Sequence, residues 1–148
     1  YNSLSYRREG SPDQNQHSTY YRTYEPGESF YTDDLLNNAK SFSDTAVVVL
    51  SRRATEGDDL PKVSYNESGE ADTSRNYLSL TKKEEILMDK VTNNFDKVIV
   101  LINSSAPMEM GFIENPKISA AMYIGYPGYY GAMAIPEILA EMLILVAI

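Results

Sequence analysis

A chain of 148 residues is long enough to bury one substantial core and short enough to form one domain. Its formal net charge of −8, with no cluster of lysines or arginines, argues against a nucleic-acid backbone as partner. There is no cysteine and a single histidine, His17, so disulfides, thiolate catalysis, Cys- or His-built metal sites and a Ser-His pair all drop out, and neither metal nor cofactor is expected.

Residues 1–29 are polar and carry Tyr1, Tyr6, Tyr20, Tyr21 and Tyr24 with no sustained period, which predicts an irregular arm. Those tyrosines could stack on carbohydrate, but packing the arm onto a neighbouring surface is the simpler use of amphipathic rings. The opening Tyr1-Asn-Ser-Leu-Ser has neither the basic nor the apolar region of a secretory leader. Residues 30–148 read as one α/β domain. Thr32 caps a helix from Asp33 to Lys40, and the adjacent Asp33 and Asp34 fit its first turn better than they fit a metal or an acid/base dyad.

Ala46-Val-Val-Val-Leu50 is a β-branched apolar run that predicts a strand buried on both faces, turning polar at Ser51. Ser51–Leu80 then lacks apolar periodicity, and connections of that length inside a compact domain are usually functional or disordered. It is rich in charge: Arg52, Arg53, Glu56, Asp58, Asp59, Glu67, Glu70, Asp72 and Arg75. A buried strand that delivers charge into a loop is how open α/β sheets build sites beyond the carboxyl ends of their strands. Ser68-Gly-Glu-Ala-Asp72 is a second glutamate-glycine block, but it sits farther from the strand end and is read as a decoy.

Thr81 with Glu84 forms a capping box that opens the clearest helix, whose stripe of Ile86, Leu87, Val91 and Phe95, with Met88 beside it, faces a core. Lys97–Asn103 is a second apolar strand and Ala120–Gly125 a third. Gly125-Tyr-Pro-Gly-Tyr-Tyr-Gly131 follows as a turn, with a helix expected over Ala132–Met142 and Pro136 in its first turns. Strands alternating with helices predict a three-layer α/β/α sandwich with a mostly parallel sheet. The three glycines lack the spacing of a dinucleotide fingerprint and the Lys-Ser/Thr of a P-loop, so a tight turn needing positive φ is favoured over a phosphate cradle or a nucleotide-binding, flavodoxin-like domain. The ending Ile138–Ile148 is apolar but shorter than the ~20 residues of a membrane span, which predicts a core element and no membrane partner.

Five blocks, in order, resemble glycoside hydrolase family 3: Val47-Val-Val-Leu-Ser-Arg with Glu56-Gly-Asp-Asp-Leu-Pro61; Tyr77-Leu-Ser-Leu-Thr81; Asn94-Phe-Asp-Lys-Val-Ile-Val-Leu-Ile-Asn-Ser104; Pro107-Met-Glu-Met-Gly111; and Ile124-Gly-Tyr-Pro-Gly128. The resemblance is to the α/β sandwich domain of its β-glucosidases and covers roughly residues 28–140. It implies a retaining two-carboxylate mechanism in which a (β/α)8 barrel domain holds the substrate, a β-glucoside or cello-oligosaccharide, and supplies an aspartate nucleophile. The sandwich domain supplies the general acid/base from a loop after its first strand. Glu56-Gly57 falls at that place, so the role carries over to Glu56 alone. In Ala54-Thr55 the chain departs from the family's Ser-Gly. In residues 141–148 it departs from the Asn-Pro-Ser-Gly block. With a start on Tyr1 rather than Met and an apolar ending, both ends are expected to be cuts through a longer protein. Without the barrel the chain is expected to be inactive, to sit in the bacterial cytoplasm, and to self-associate into a homo-oligomer through exposed apolar surface. A carbohydrate-binding or oligomerising module of the same fold is the alternative.

Overall fold

The structure is a computed structural model, and it describes residues 25–54, 59–66 and 69–140. After a short 3-10 turn at Glu28–Phe30, helix α1 spans Asp33–Phe42, and strand β1 spans Thr45–Arg52. A minimal hairpin, β2 (Ser64–Tyr65) and β3 (Ala71–Asp72), precedes helix α2 (Lys82–Asn94) and strand β4 (Lys97–Ser104). A 3-10 turn at Gly111–Glu114, strand β5 (Ile118–Tyr123) and helix α3 (Gly128–Leu139) complete the order.

The described sheet has the order β1-β4-β5, all parallel. Central β4 is the continuous apolar run that a doubly covered strand requires: Val98, Val100 and Ile102 are wholly inaccessible and Leu101 nearly so. One face of the sheet, built from Val48, Leu50, Val98, Val100 and Ile102, packs on Met88, Val91 and Phe95 of α2 and its exit. That face is the core. The capping box is present as the sequence requires: the Thr81 hydroxyl accepts from the Glu84 N–H, and the Glu84 carboxylate accepts from the Thr81 N–H. At α1, the Thr32 side chain accepts from the Leu35 N–H, and Asp33 and Asp34 lie exposed in the first turn.

The opposite face differs from expectation. β1 is not buried on both sides; Val47 and Val49 are 49% and 52% exposed while Val48 and Leu50 are buried. The reason is cover, not propensity. α1 and the end of α3 meet this face around an apolar groove of about 550 Å³ lined by Ala39, Phe42, Ala46, Val47, Ile99 and Leu139, and they leave the middle of β1 open. β1 is also an edge of the described sheet, so nothing described flanks it. The layers are nonetheless those of an α/β/α sandwich with a parallel sheet.

Other boundaries move as well, and β5 runs Ile118–Tyr123 in place of the expected Ala120–Gly125. β1 runs two residues past Leu50, pairing Ser51 with Asn103 and Arg52 with Ser104. α3 starts at Gly128, four residues before the expected Ala132, which brings Gly131 inside the helix and leaves Pro136 deeper in it than its first turns. Gly131 has a packing reason to lack a side chain, because a Cβ there would lie 3.1 Å from the Cβ of Pro127.

The asymmetry between faces predicts unequal mutational costs. Leu50→Ala on the core face should lose about 2–5 kcal/mol, against a change within about 0.5 kcal/mol for Val49→Thr on the open face. Urea denaturation of dilute protein measures both.

Candidate active-site loop

The end of β1 is built around a buried cation. Arg52 is 1% exposed, at a point where the pattern turns polar. All five of its N–H groups are used, which is what an arginine needs in order to leave water. Nε donates to the Tyr77 carbonyl at 2.8 Å. Nη1 donates to the Ser51 carbonyl at 2.7 Å and to Glu84 Oε1 at 2.6 Å. Nη2 donates to the Ser79 carbonyl and to Glu84 Oε2, each at 2.6 Å. The fork-to-fork pair with Glu84 is the strong, bidentate kind of charge-assisted bond. The guanidinium carbon also lies 5.9 Å from the centroid of the Tyr77 ring, within cation–π range.

The next two residues are held by phenols. The Tyr77 hydroxyl accepts from the Arg53 N–H and donates to the Arg53 carbonyl, both at 2.8 Å. The Tyr126 hydroxyl donates to the Arg52 carbonyl at 2.8 Å and accepts from the Ala54 N–H at 2.9 Å. Tyr77 is held in turn by the segment 76–79. There Asn76 Oδ1 accepts from the Leu78 and Ser79 N–H groups, and its Nδ2 donates to Glu109 Oε1 at 2.6 Å. Tyr126 sits between Gly125 and Gly128, whose φ angles of +59° and +63° are the left-handed conformation that only glycine adopts cheaply. The glycine segment is therefore a turn that aims a tyrosine, as the positive-φ reading expected, and its last glycine belongs to α3.

Glu56, the residue that the sequence puts forward as the acid/base, lies outside the described residues, as do Asp58 and Glu67. Its described flanks are Arg52–Ala54 on one side and Asp59–Pro61 on the other. The decoy block resolves differently. Glu70 is exposed in the β2–β3 hairpin, where its carboxylate accepts from Asn66 Nδ2 at 2.8 Å and its N–H donates to Asn66 Oδ1 at 2.9 Å. Asp72 is taken up by Ser74 and Arg75, and its carboxyl is held below the usual carboxylate range chiefly by the Ser74 hydroxyl. Both acids serve the hairpin. Among the described carboxyls, Glu25 is the one pushed upward; burial is the main cause, and the Tyr31 hydroxyl donates to it.

Sequence reasoning missed Arg52, Tyr77, Glu84 and Tyr126 as a unit. Glu84 was legible as a cap, and Tyr77 and Tyr126 as parts of the resembling blocks. Arg52 and Glu84 stand 32 residues apart, so nothing local in the sequence signals that the two charges meet.

Comparison with known proteins fits this geometry. A sequence profile described as "Glycosyl hydrolase family 3 C-terminal domain" matches residues 13–141. A β-glucosidase of Ruminococcus albus is 31% identical over 107 residues, which are 72% of this chain and 10% of that protein. A solved structure of a β-glucosidase from Paenibacillus barengoltzii superimposes with a TM-score of 0.65 at 28% identity, covering 83% of this chain and 12% of that one. The chain thus spans about a tenth of the length of the relatives it matches. It belongs to the glycosyl hydrolase family 3 C-terminal domain family, whose relatives here are glycoside hydrolases.

Proposed function

We propose that this chain is the part of a retaining β-glucosidase that brings the general acid/base, with Glu56 as that residue. The observation that supports the reading is the anchoring of the strand end before it: Arg52, Arg53 and Ala54 are each fixed by buried or paired groups, so a side chain two residues on departs from a defined origin. The acid's work is a proton transfer. As the bond from the anomeric carbon to the leaving oxygen breaks, a carboxyl gives its proton to that oxygen and the aglycone departs as an alcohol. The resulting carboxylate then takes a proton from the water that releases the sugar from the nucleophile. The nucleophile has to stand ~5–5.5 Å from the acid, and the resemblance assigns it to a barrel domain that is not part of this sequence.

The chain by itself is therefore expected to show no turnover of an aryl β-glucoside, as measured by aglycone release. To test Glu56 directly, residues 45–61 can replace the matching segment of a complete β-glucosidase. The hybrid should keep activity, and Glu56→Gln should lower its rate on alkyl glucosides by roughly 10²–10⁴-fold. The loss on a dinitrophenyl glucoside should be far smaller, because that leaving group needs no proton. Equal losses on both substrates would contradict the role.

The open sheet face favours a second reading, an oligomerising module. Val47, Val49 and Phe42 are exposed beside an apolar groove, and α3, with Glu137 as its one charged residue, buries none of its residues. Exposed apolar surface of this kind drives association, and an edge strand is self-complementary about a two-fold axis, so the partner we propose is a second copy. Light scattering at tens of micromolar should give a dimer or larger species that Val49→Lys returns to monomer. A monomeric parent chain would rule this out. Calorimetry with glucose and cellobiose tests the carbohydrate-binding version of the module.

A further inference from the structure

We infer that Tyr126 is a positioning residue whose hydroxyl fastens the turn after β5 to the root of the loop after β1, and that Tyr77 completes the fastening from the other side. The two residues differ in how much else they do. Tyr77 is buried at 2% exposure and its ring supports Arg52, so it also belongs to the core. Tyr126 is 52% exposed, so its ring gains little from burial. What it offers is the hydroxyl, and that group is fully committed to backbone 72 and 74 residues earlier in the chain.

The four backbone groups involved are consecutive: the Arg52 carbonyl, the Arg53 N–H, the Arg53 carbonyl and the Ala54 N–H. Arg52↔Ser104 is the last pair of the β1–β4 ladder, so beyond it the sheet no longer supplies partners. Two phenols take over that duty, each donating once and accepting once, as a hydroxyl can. Backbone groups left without partners at this point would favour local opening. The flanking glycines let the turn take its shape. Gly125 and Gly128 both hold positive φ, and Pro127 between them has its φ fixed at −68°. Pro127 thereby removes one soft dihedral directly after Tyr126.

The consequence for function rests on reading Glu56 as the acid/base: the fastening sets where the chain stands two residues before that side chain. The fastening itself is testable without that reading and without activity. In the 15N-labelled 148-residue chain, amide hydrogen exchange is followed by NMR for the wild type, Tyr126→Phe and Tyr77→Phe. Each substitution removes one oxygen and keeps the ring. Tyr126→Phe should speed exchange at the Ala54 amide by roughly tenfold, as expected for losing one net hydrogen bond or two, and leave Val48 and Val100 unchanged. Tyr77→Phe should act first on the Arg53 amide. This reciprocal pattern is what separates positioning from general destabilisation, which would raise exchange at Val48 and Val100 in step. Wild-type exchange at Ala54 in Tyr126→Phe, or uniform acceleration across the sheet, would overturn the inference. A failure of Glu56→Gln to affect the hybrid enzyme would overturn the catalytic assignment and leave this result standing.

Discussion

A guanidinium buried at the end of an apolar strand is costly to desolvate, by several kcal/mol even after relaxation, and is tolerated only where every donor finds a partner. Arg52 meets that condition by drawing three separate segments to one point: its own strand, the turn at residues 77–79 and the first turn of α2. Glu84 serves twice there. It caps α2 through the Thr81 N–H and neutralises Arg52 through both oxygens. The connection between β1 and α2 is thus secured at both ends by the same pair of charges.

From this anchor the organisation of the strand end follows. Tyr77 is placed by the carbonyl that Arg52 holds, and its hydroxyl then reaches Arg53. Tyr126 arrives from the turn after β5 and closes the other side. All of this happens at the carboxyl ends of the parallel strands, where open α/β sheets place their ligands. The apolar groove lies at the amino ends, beside Ala46 and Ile99. The anchored strand end and the apolar groove thus occupy opposite ends of the sheet.

Local features were legible in the sequence and non-local ones were not. The capping box at Thr81 and Glu84 and the central strand β4 are carried by spacing and composition within a dozen residues, and the structure has them as expected. The stripe on α2 holds in part: Val91 and Phe95 enter the core with Met88, Leu87 packs at its edge, and Ile86 is not part of the cluster. The second face of β1 was misjudged because an apolar run records what a strand can bury, whereas cover is supplied by distant helices. The start of α3 was placed late because glycines at 128 and 131 look like loop. Only the backbone shows that one takes positive φ and the other avoids Pro127. The β2–β3 hairpin is two residues per strand, too short for any period to register. The Arg52–Glu84 pair spans 32 residues, and no local pattern encodes it. Glu56 was reached through family resemblance, and the residues around it lie outside those described.

Whether this end of the molecule rests on the buried pair is measured by a double-mutant cycle, read by urea denaturation. Arg52→Met alone strands a buried carboxylate and should cost about 3–5 kcal/mol, a large share of the ~5–15 kcal/mol that a domain has. Arg52→Met with Glu84→Met removes both charges, so the double variant should be less destabilised than the sum of the singles, by about 1 kcal/mol or more. Additive effects, or a cost below about 1 kcal/mol for Arg52→Met, would show that this end of the molecule does not depend on the pair.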